Sequence, residues 1–263
     1  VQEAVQLLQA DPEAKIIAGG HSLLPAMKLR LASPGTLVDI SKIQELKSMS
    51  VNGGATIGAG VTYNDLLKSN DLKERFTALY ESVAKVGDVQ VRNRGTVGGS
   101  AAHADPAADI PAALLVLNAT FVAQGPNGSR EISADDFFVD ILTTALEPEE
   151  VLTEIRLPAS NTKSAYEKFA HPASGYAICG VAAAIGDGGV RVAVTGATYK
   201  ATRLTGVENA LSGGNVDAAA IEAAVEQIGD LDYAGDHFAS NEYRAHLTKV
   251  YAKRALMRAA GLS

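Results

Sequence analysis

After Leu117 the texture of the chain becomes strand-like, with helical segments both before and after it, a mixed α+β pattern. Residues 119–123 and 130–132 are strand-like runs around Gly125-Pro126-Asn127-Gly128, and Asn-Gly between such runs is a strong hairpin signal. Residues 150–157 alternate around Val151, Ile155 and Leu157 until Pro158 ends the strand, and 159–163 read as a linker. Residues 177–186 and 190–198 are two more strand-like runs, joined by Asp187-Gly188-Gly189. Helices are expected over 215–228 and 240–260; Tyr243, Leu247, Val250 and Tyr251 share a face of the second, and Gly261 suits its end. Upstream, Val1, Val5 and Leu8 repeat at helical spacing up to Asp11-Pro12, and 15–17, 37–40 and 55–58 are strand candidates. Thr62 with Asp65 resembles a capping box for a helix to about Phe76, and 78–87 predicts another helix. The reading is α+β with a boundary near residue 160.

Charge and cysteine content remove several function classes. A net charge of −7 argues against a nucleic-acid partner, which needs a clustered cationic surface. Lys249, Lys253, Arg254 and Arg258 near the C-terminus are interrupted by apolar residues and read as a solvated or subunit-facing helix surface. Cys179 is the only cysteine, so the chain can form no internal disulfide and cannot ligate an iron–sulfur cluster through cysteines. No apolar run is long enough for a membrane span and no signal peptide is visible, so a cytoplasmic setting is expected.

Two glycine-rich segments carry the candidate chemistry. In Ala18-Gly19-Gly20-His21-Ser22 a strand runs into two glycines and a polar pair. Successive N–H groups in such a turn can form an anion-binding nest, with Ser22 as an extra donor; a plain tight turn explains the glycines equally well. Thr96-Val97-Gly98-Gly99-Ser100 repeats the combination of glycines, hydroxyls and little bulk, and reads as a second loop. Beyond it lies His103-Ala104-Asp105-Pro106-Ala107-Ala108-Asp109, and Asp109 either caps the apolar run Ile110–Leu117 or accepts hydrogen bonds from a ligand's hydroxyls. Two such loops suit one extended ligand with two phosphates. No P-loop is present, and Gly58-Ala59-Gly60 lacks the third glycine of the dinucleotide fingerprint. His21 and His103 have no partners at metal-ligand spacing, and Ser22, His103 and Asp105 do not sit in a nucleophile elbow.

The stretches Ala18–Arg30 and Thr96–Ala113 resemble the FAD-binding signatures of the flavin subunits of molybdenum hydroxylases, the carbon monoxide dehydrogenase medium-subunit and xanthine dehydrogenase FAD-domain family. Glu150–Pro158, Tyr166–Phe169 and Gly175-Tyr176-Ala177 match in order and spacing, so the resemblance spans essentially the whole chain. It implies a PCMH/vanillyl-alcohol-oxidase-type FAD-binding domain over 1–160, with subdomains of about 1–54 and 55–160, and a C-terminal α+β domain over 161–263. It places Ala18, Gly19, Gly20, His21, Ser22, Thr96, Val97, Gly98, Gly99 and Ser100 at the FAD pyrophosphate and ribityl. Asp109 would accept from the ribityl or flavin end. Leu152, Lys168 and Tyr176 would lie near the isoalloxazine, with Lys168 favouring negative charge on the reduced ring; Tyr176 read by itself could equally be an ordinary strand aromatic. Ser100 stands where relatives often have Asn or Asp.

The same resemblance implies partners: a molybdopterin-binding large subunit, a small subunit with two [2Fe–2S] clusters, and a dimer of heterotrimers. This chain would pass electrons from the nearer cluster through FAD to an external acceptor. A free-standing flavin oxidase or reductase and a scaffold subunit without flavin are the competing readings. Bulk at Gly19 or Gly98 is expected to abolish FAD binding with less effect on the apoprotein fold. Neither segment offers an attachment residue at an obvious flavin-linking position, so FAD is expected to be bound noncovalently. Acid precipitation should leave all the yellow colour in the supernatant, and flavin in the pellet would contradict this.

Overall fold

Helix α1 (Gln2–Ala10) turns Ala4, Val5 and Leu8 inward, against a parallel pair made of β1 (Lys15–Ile17) and β2 (Leu37–Asp39). Parallel strands need a crossover, and α2 (Leu23–Lys28) lies within it. This computed structural model describes residues 1–262. Helix α2 buries no residue, so its turns are not anchored in any core.

The next stretch builds an antiparallel sheet of five strands in the order β3-β4-β9-β5-β6. These are β3 (Met49–Asn52), β4 (Gly54–Gly58), β5 (Thr120–Gly125), β6 (Gly128–Ser133) and β9 (Val151–Leu157). The expected Asn-Gly hairpin joins β5 to β6, with Gly125 opposite Gly128. Between β4 and β5 run α3 (Tyr63–Leu67), α4 (Asn70–Arg75), α5 (Thr77–Ala84), α6 (Val89–Arg94), α7 (Val97–His103) and α8 (Ile110–Val116). Helix α9 (Ala134–Phe137) and the short pair β7 (Phe138–Asp140) and β8 (Thr143–Thr144) precede β9. Strand β9 enters the centre of the sheet, and its Val151 packs into the core under α1, joining the small unit to the larger one.

The last stretch is an antiparallel sheet β10-β11-β12-β13, made of β10 (Lys163–Ala170), β11 (Ala177–Gly186), β12 (Gly189–Thr195) and β13 (Thr202–Arg203). Helices α10 (Thr205–Ala210), α11 (Ala218–Ala224) and α12 (Asn241–Ala260) follow. Side chains alternate across a strand, so β11 sends Cys179, Val181 and Ala183 into the core beneath α12. Its other face, Ala182 and Ala184, joins the core that holds α5 and α8. Burial of both faces explains the near-continuous apolar run of β11. The α+β class read from the sequence holds.

Several local expectations change. The helix expected from Thr62 to Phe76 is two helices, because the Ser69 hydroxyl accepts from the Leu72 amide (3.2 Å) and starts a second one. The capping box at its start is present, with Thr62 accepting from the Asp65 amide. Helix 215–228 shortens to α11 plus a 3-10 turn over Val225–Gln227, and β12 stops before Gly196, whose φ of 79° leaves the strand. The second glycine segment is not a loop. Thr96 caps α7 by accepting from the Gly99 amide (3.0 Å), so Gly98 and Gly99 lie in the first helical turn.

Gly98 is needed there for packing. Its amide donates to the Ala59 carbonyl (3.0 Å), and a Cβ would overlap the Ala59 side chain and lie 2.6 Å from the Ala59 Cα. Bulk at this position therefore strikes the fold itself, which counts against the expectation that the apoprotein fold would be less affected than FAD binding. Gly98→Ala should lower the stability of the flavin-free chain by about 1–3 kcal/mol in urea unfolding. An unchanged midpoint would show that Ala59 yields at no cost.

Candidate functional site

The two glycine segments meet. A Cβ at Gly19 would collide with the end of α6, 2.8 Å from the Arg94 carbonyl carbon and 2.9 Å from the Gly95 Cα, so only glycine lets the turn after β1 approach the end of this helix. Between them opens a cleft of about 600 Å³, within the usual range for small-molecule sites. Of the residues singled out from the sequence, all except Val97 and Lys168 line it. Val97 is fully buried in the core, and Lys168 lies behind the wall.

One wall is rich in free donors. Gly20, at φ 74°, turns the chain sharply after β1. Among the described residues the amides of Gly19, Gly20, His21, Ser22 and Leu23 have no protein acceptor. Ser22 precedes α2 without capping it, so its hydroxyl is also uncommitted. His21 Nδ1 lies 3.0 Å from the Gly19 carbonyl, which makes Nδ1 the donor and steadies the turn. Consecutive N–H groups of this kind form an anion-binding concavity.

The opposite wall has spent its amides. Val97 donates to Val61, Gly98 to Ala59, Gly99 to the Thr96 hydroxyl and Ser100 to the Thr96 carbonyl. It offers the cleft small glycine surfaces and the side chains of Thr96 and Ser100. Tyr63 lines the same region, its phenol pushed up to about 12 by burial.

At the inner end sits Asp109. It precedes α8 yet makes no side-chain cap bond, which disposes of the capping explanation. Its Oδ1 accepts from the Tyr166 hydroxyl (2.6 Å) and its Oδ2 from Lys168 Nζ (2.8 Å). Lys168 also donates to the Lys85 carbonyl (3.0 Å). Burial pushes the Asp109 carboxyl above its ordinary value, opposed by Lys168 and Tyr166. Burial and the adjacent carboxylate raise the Tyr166 phenol well above its ordinary value, so it serves as a donor. Leu152 is a buried part of the lining, whereas Tyr176 is half-exposed at the rim. Tyr166 was not among the residues singled out as site residues. Its spacing of two from Lys168 on a strand, which puts both on one face, was the available signal.

Among the described residues no hydrogen bond joins Ser22, His103 and Asp105 into a triad. His103 and Asp105 line the cleft, but Asp105 accepts from the Ala107 amide (2.8 Å). Among the described residues no group of three His, Cys, Asp or Glu could hold a metal, and no helix is long and apolar enough to cross a membrane. Burial pushes the Cys179 thiol up to about 12, and it faces Thr248 (3.8 Å).

A family model described as the FAD binding domain in molybdopterin dehydrogenase matches residues 1–160, and one described as the CO dehydrogenase flavoprotein C-terminal domain matches residues 164–259. The chain belongs to this flavoprotein family. It is 40% identical to the carbon monoxide dehydrogenase medium chain of Hydrogenophaga pseudoflava, over 97% of this chain and 93% of that one. It is 33% identical to the glyceraldehyde dehydrogenase medium chain of Sulfolobus acidocaldarius, over 97% and 94%. A solved carbon monoxide dehydrogenase from H. pseudoflava, lacking the Mo-pyranopterin moiety of its molybdenum cofactor, superposes with a TM-score of 0.92 and 40% identity, covering 98% of this chain and 93% of that one. FAD is the cofactor of this family, and the chain is an FAD-binding, medium-type subunit of an oxidoreductase of the molybdenum hydroxylase class.

The flavoprotein's buried ion pair yields a pH-dependent expectation. Lys168→Met strands a buried carboxylate, costing about 3–5 kcal/mol near neutral pH. Burial already raises the folded Asp109 pKa and Lys168 opposes that rise, so loss of the lysine raises it further, and between the wild-type and variant values the folded variant keeps a proton that the folded wild type releases. The variant's deficit should therefore grow as pH rises through that window and shrink as pH falls. Urea unfolding at pH 5 and pH 8 checks this, and equal deficits at both would mean that the lysine acts only by packing.

Proposed function

We propose that this chain takes electrons from an iron–sulfur subunit and delivers them through FAD to an external acceptor. A molybdopterin-binding large subunit would oxidise the organic substrate, and the assembly would be a cytoplasmic dimer of heterotrimers. The convergence of both glycine segments and Asp109 on one cleft carries this reading. In the same reading residues 1–160 hold the cofactor, in parts of about 1–54 and 55–160, and residues 161–263 complete the site.

The residues present fit the cofactor. The free amides of Gly19 to Leu23 match a pyrophosphate, and the Ser22, Thr96 and Ser100 hydroxyls add polar contacts. Asp109 still has lone pairs for the ribityl or flavin end after accepting from Tyr166 and Lys168. Leu152 and Tyr176 would flank the isoalloxazine. Lys168 acts from behind the carboxylate as its countercharge, so the pair presents a neutralised surface to the ring rather than a bare cation. When bound, FAD supplies the redox chemistry, accepting electrons singly and releasing them as a pair; the protein positions it and sets the local field.

With Cys179 as its only cysteine, the chain holds no relay of its own. Co-expression with the adjacent large and small subunits should give a stable assembly in which organic substrate reduces the flavin. The chain by itself, loaded with FAD, should stay oxidised in the presence of substrate. Its reduction alone at a catalytically useful rate would replace this reading with a free-standing oxidase.

A further inference from the structure

Tyr166 is fully buried, on the face of β10 that looks towards α5 and α8. Its hydroxyl makes one side-chain hydrogen bond, to Asp109 Oδ1. A phenylalanine would fill the same space without burying a hydroxyl, so packing alone does not account for a tyrosine. The neighbouring strand is shaped around that hydroxyl. Gly180 lies in the middle of β11 opposite Lys168, and a Cβ there would overlap the Tyr166 oxygen and lie 2.9 Å from its Cζ. Glycine in a strand interior costs stability, and here it makes room for the phenol end. The ring is also held from outside, with Lys85 Nζ 5.5 Å from its centroid and donating to the Tyr166 carbonyl (3.2 Å).

We propose that Tyr166 is a positioning residue for the cofactor: its hydroxyl, together with Lys168 two residues on, grips Asp109 from behind and fixes the carboxylate so that its remaining lone pairs face the cleft. Both grips come from one strand of the C-terminal sheet, while Asp109 and the glycine segments belong to the preceding part of the chain. Cofactor binding is thereby coupled to the seating of β10. Without the tyrosine hydroxyl, the carboxylate is held by the lysine alone and is free to turn about that single contact.

The inference rests on the proposed placement of FAD against Asp109. The test titrates FAD into the flavin-free full chain and reads the dissociation constant from flavin fluorescence. Tyr166→Phe should raise it about tenfold, in line with one hydrogen bond to a charged group. Asp109→Ala should raise it at least as much, and the Asp109→Ala/Tyr166→Phe double variant should match Asp109→Ala, because the tyrosine acts through the carboxylate. A structural role would instead add its effect in both backgrounds. Unchanged affinity in Tyr166→Phe, or full additivity, overturns the inference. Unchanged affinity in Asp109→Ala overturns the cofactor placement itself. Should Tyr166→Phe not fold, Gly180→Ala displaces the same hydroxyl with the ring retained, and unchanged FAD affinity there overturns the inference equally.

Discussion

A carboxylate taken out of water must be answered by charge and hydrogen bonds, and Asp109 receives both from a single strand. Lys168 supplies the countercharge and Tyr166 a second donor, from positions whose spacing puts them on one face of β10. That arrangement fixes which way the strand faces and how far it approaches α8. It also decides what a ligand meets at the inner end of the cleft, an oriented acceptor and not a loose anion. The Arg258 guanidinium reinforces the seating from the other side, joining α12 to Glu81 on α5 and to Glu167 on β10.

The site divides its labour between two walls that look alike in sequence. Both carry paired glycines and a hydroxyl residue, yet only the first keeps its amides free. In the second, the same small residues let a helix sit directly on Ala59, and its amides are consumed in doing so. Binding and packing are thus served by one local composition, and the difference lies in what each backbone faces.

Much of this was legible in the sequence. The hairpin at Asn127-Gly128, the alternation of β9 and the final helix with its terminal Gly261 depend on local signals and are found where expected. Helix breaks were less legible, because Ser69 competes as a cap inside a segment whose apolar spacing continues past it. The second glycine segment resembles a loop in sequence although Thr96 stands at a capping position, since glycines weigh against a helix unless a neighbour such as Ala59 demands close approach. The site residues converge on one cleft except Val97, which is buried in the core, and Lys168, which reaches the back of the Asp109 carboxylate and not the cleft itself. Strand or helix periodicity cannot settle such directions without the partner element. Tyr166 does not stand out as a site residue in the sequence, because a buried tyrosine in a strand looks like any core aromatic until its hydroxyl's partner is known.

The C-terminal sheet is covered on one face by its own helices and on the other by α5 and α8. Ala182, Ala184 and Ala193 therefore lie in a core most of which comes from the preceding residues. The boundary near residue 160 divides the chain in sequence, but it is not a line along which the folded protein can be parted. Either fragment, cut there, would show water a broad alanine-rich wall and behave as a sticky half of a molecule. Recombining halves from different relatives would succeed only if this wall were exchanged together with the helices that cover it.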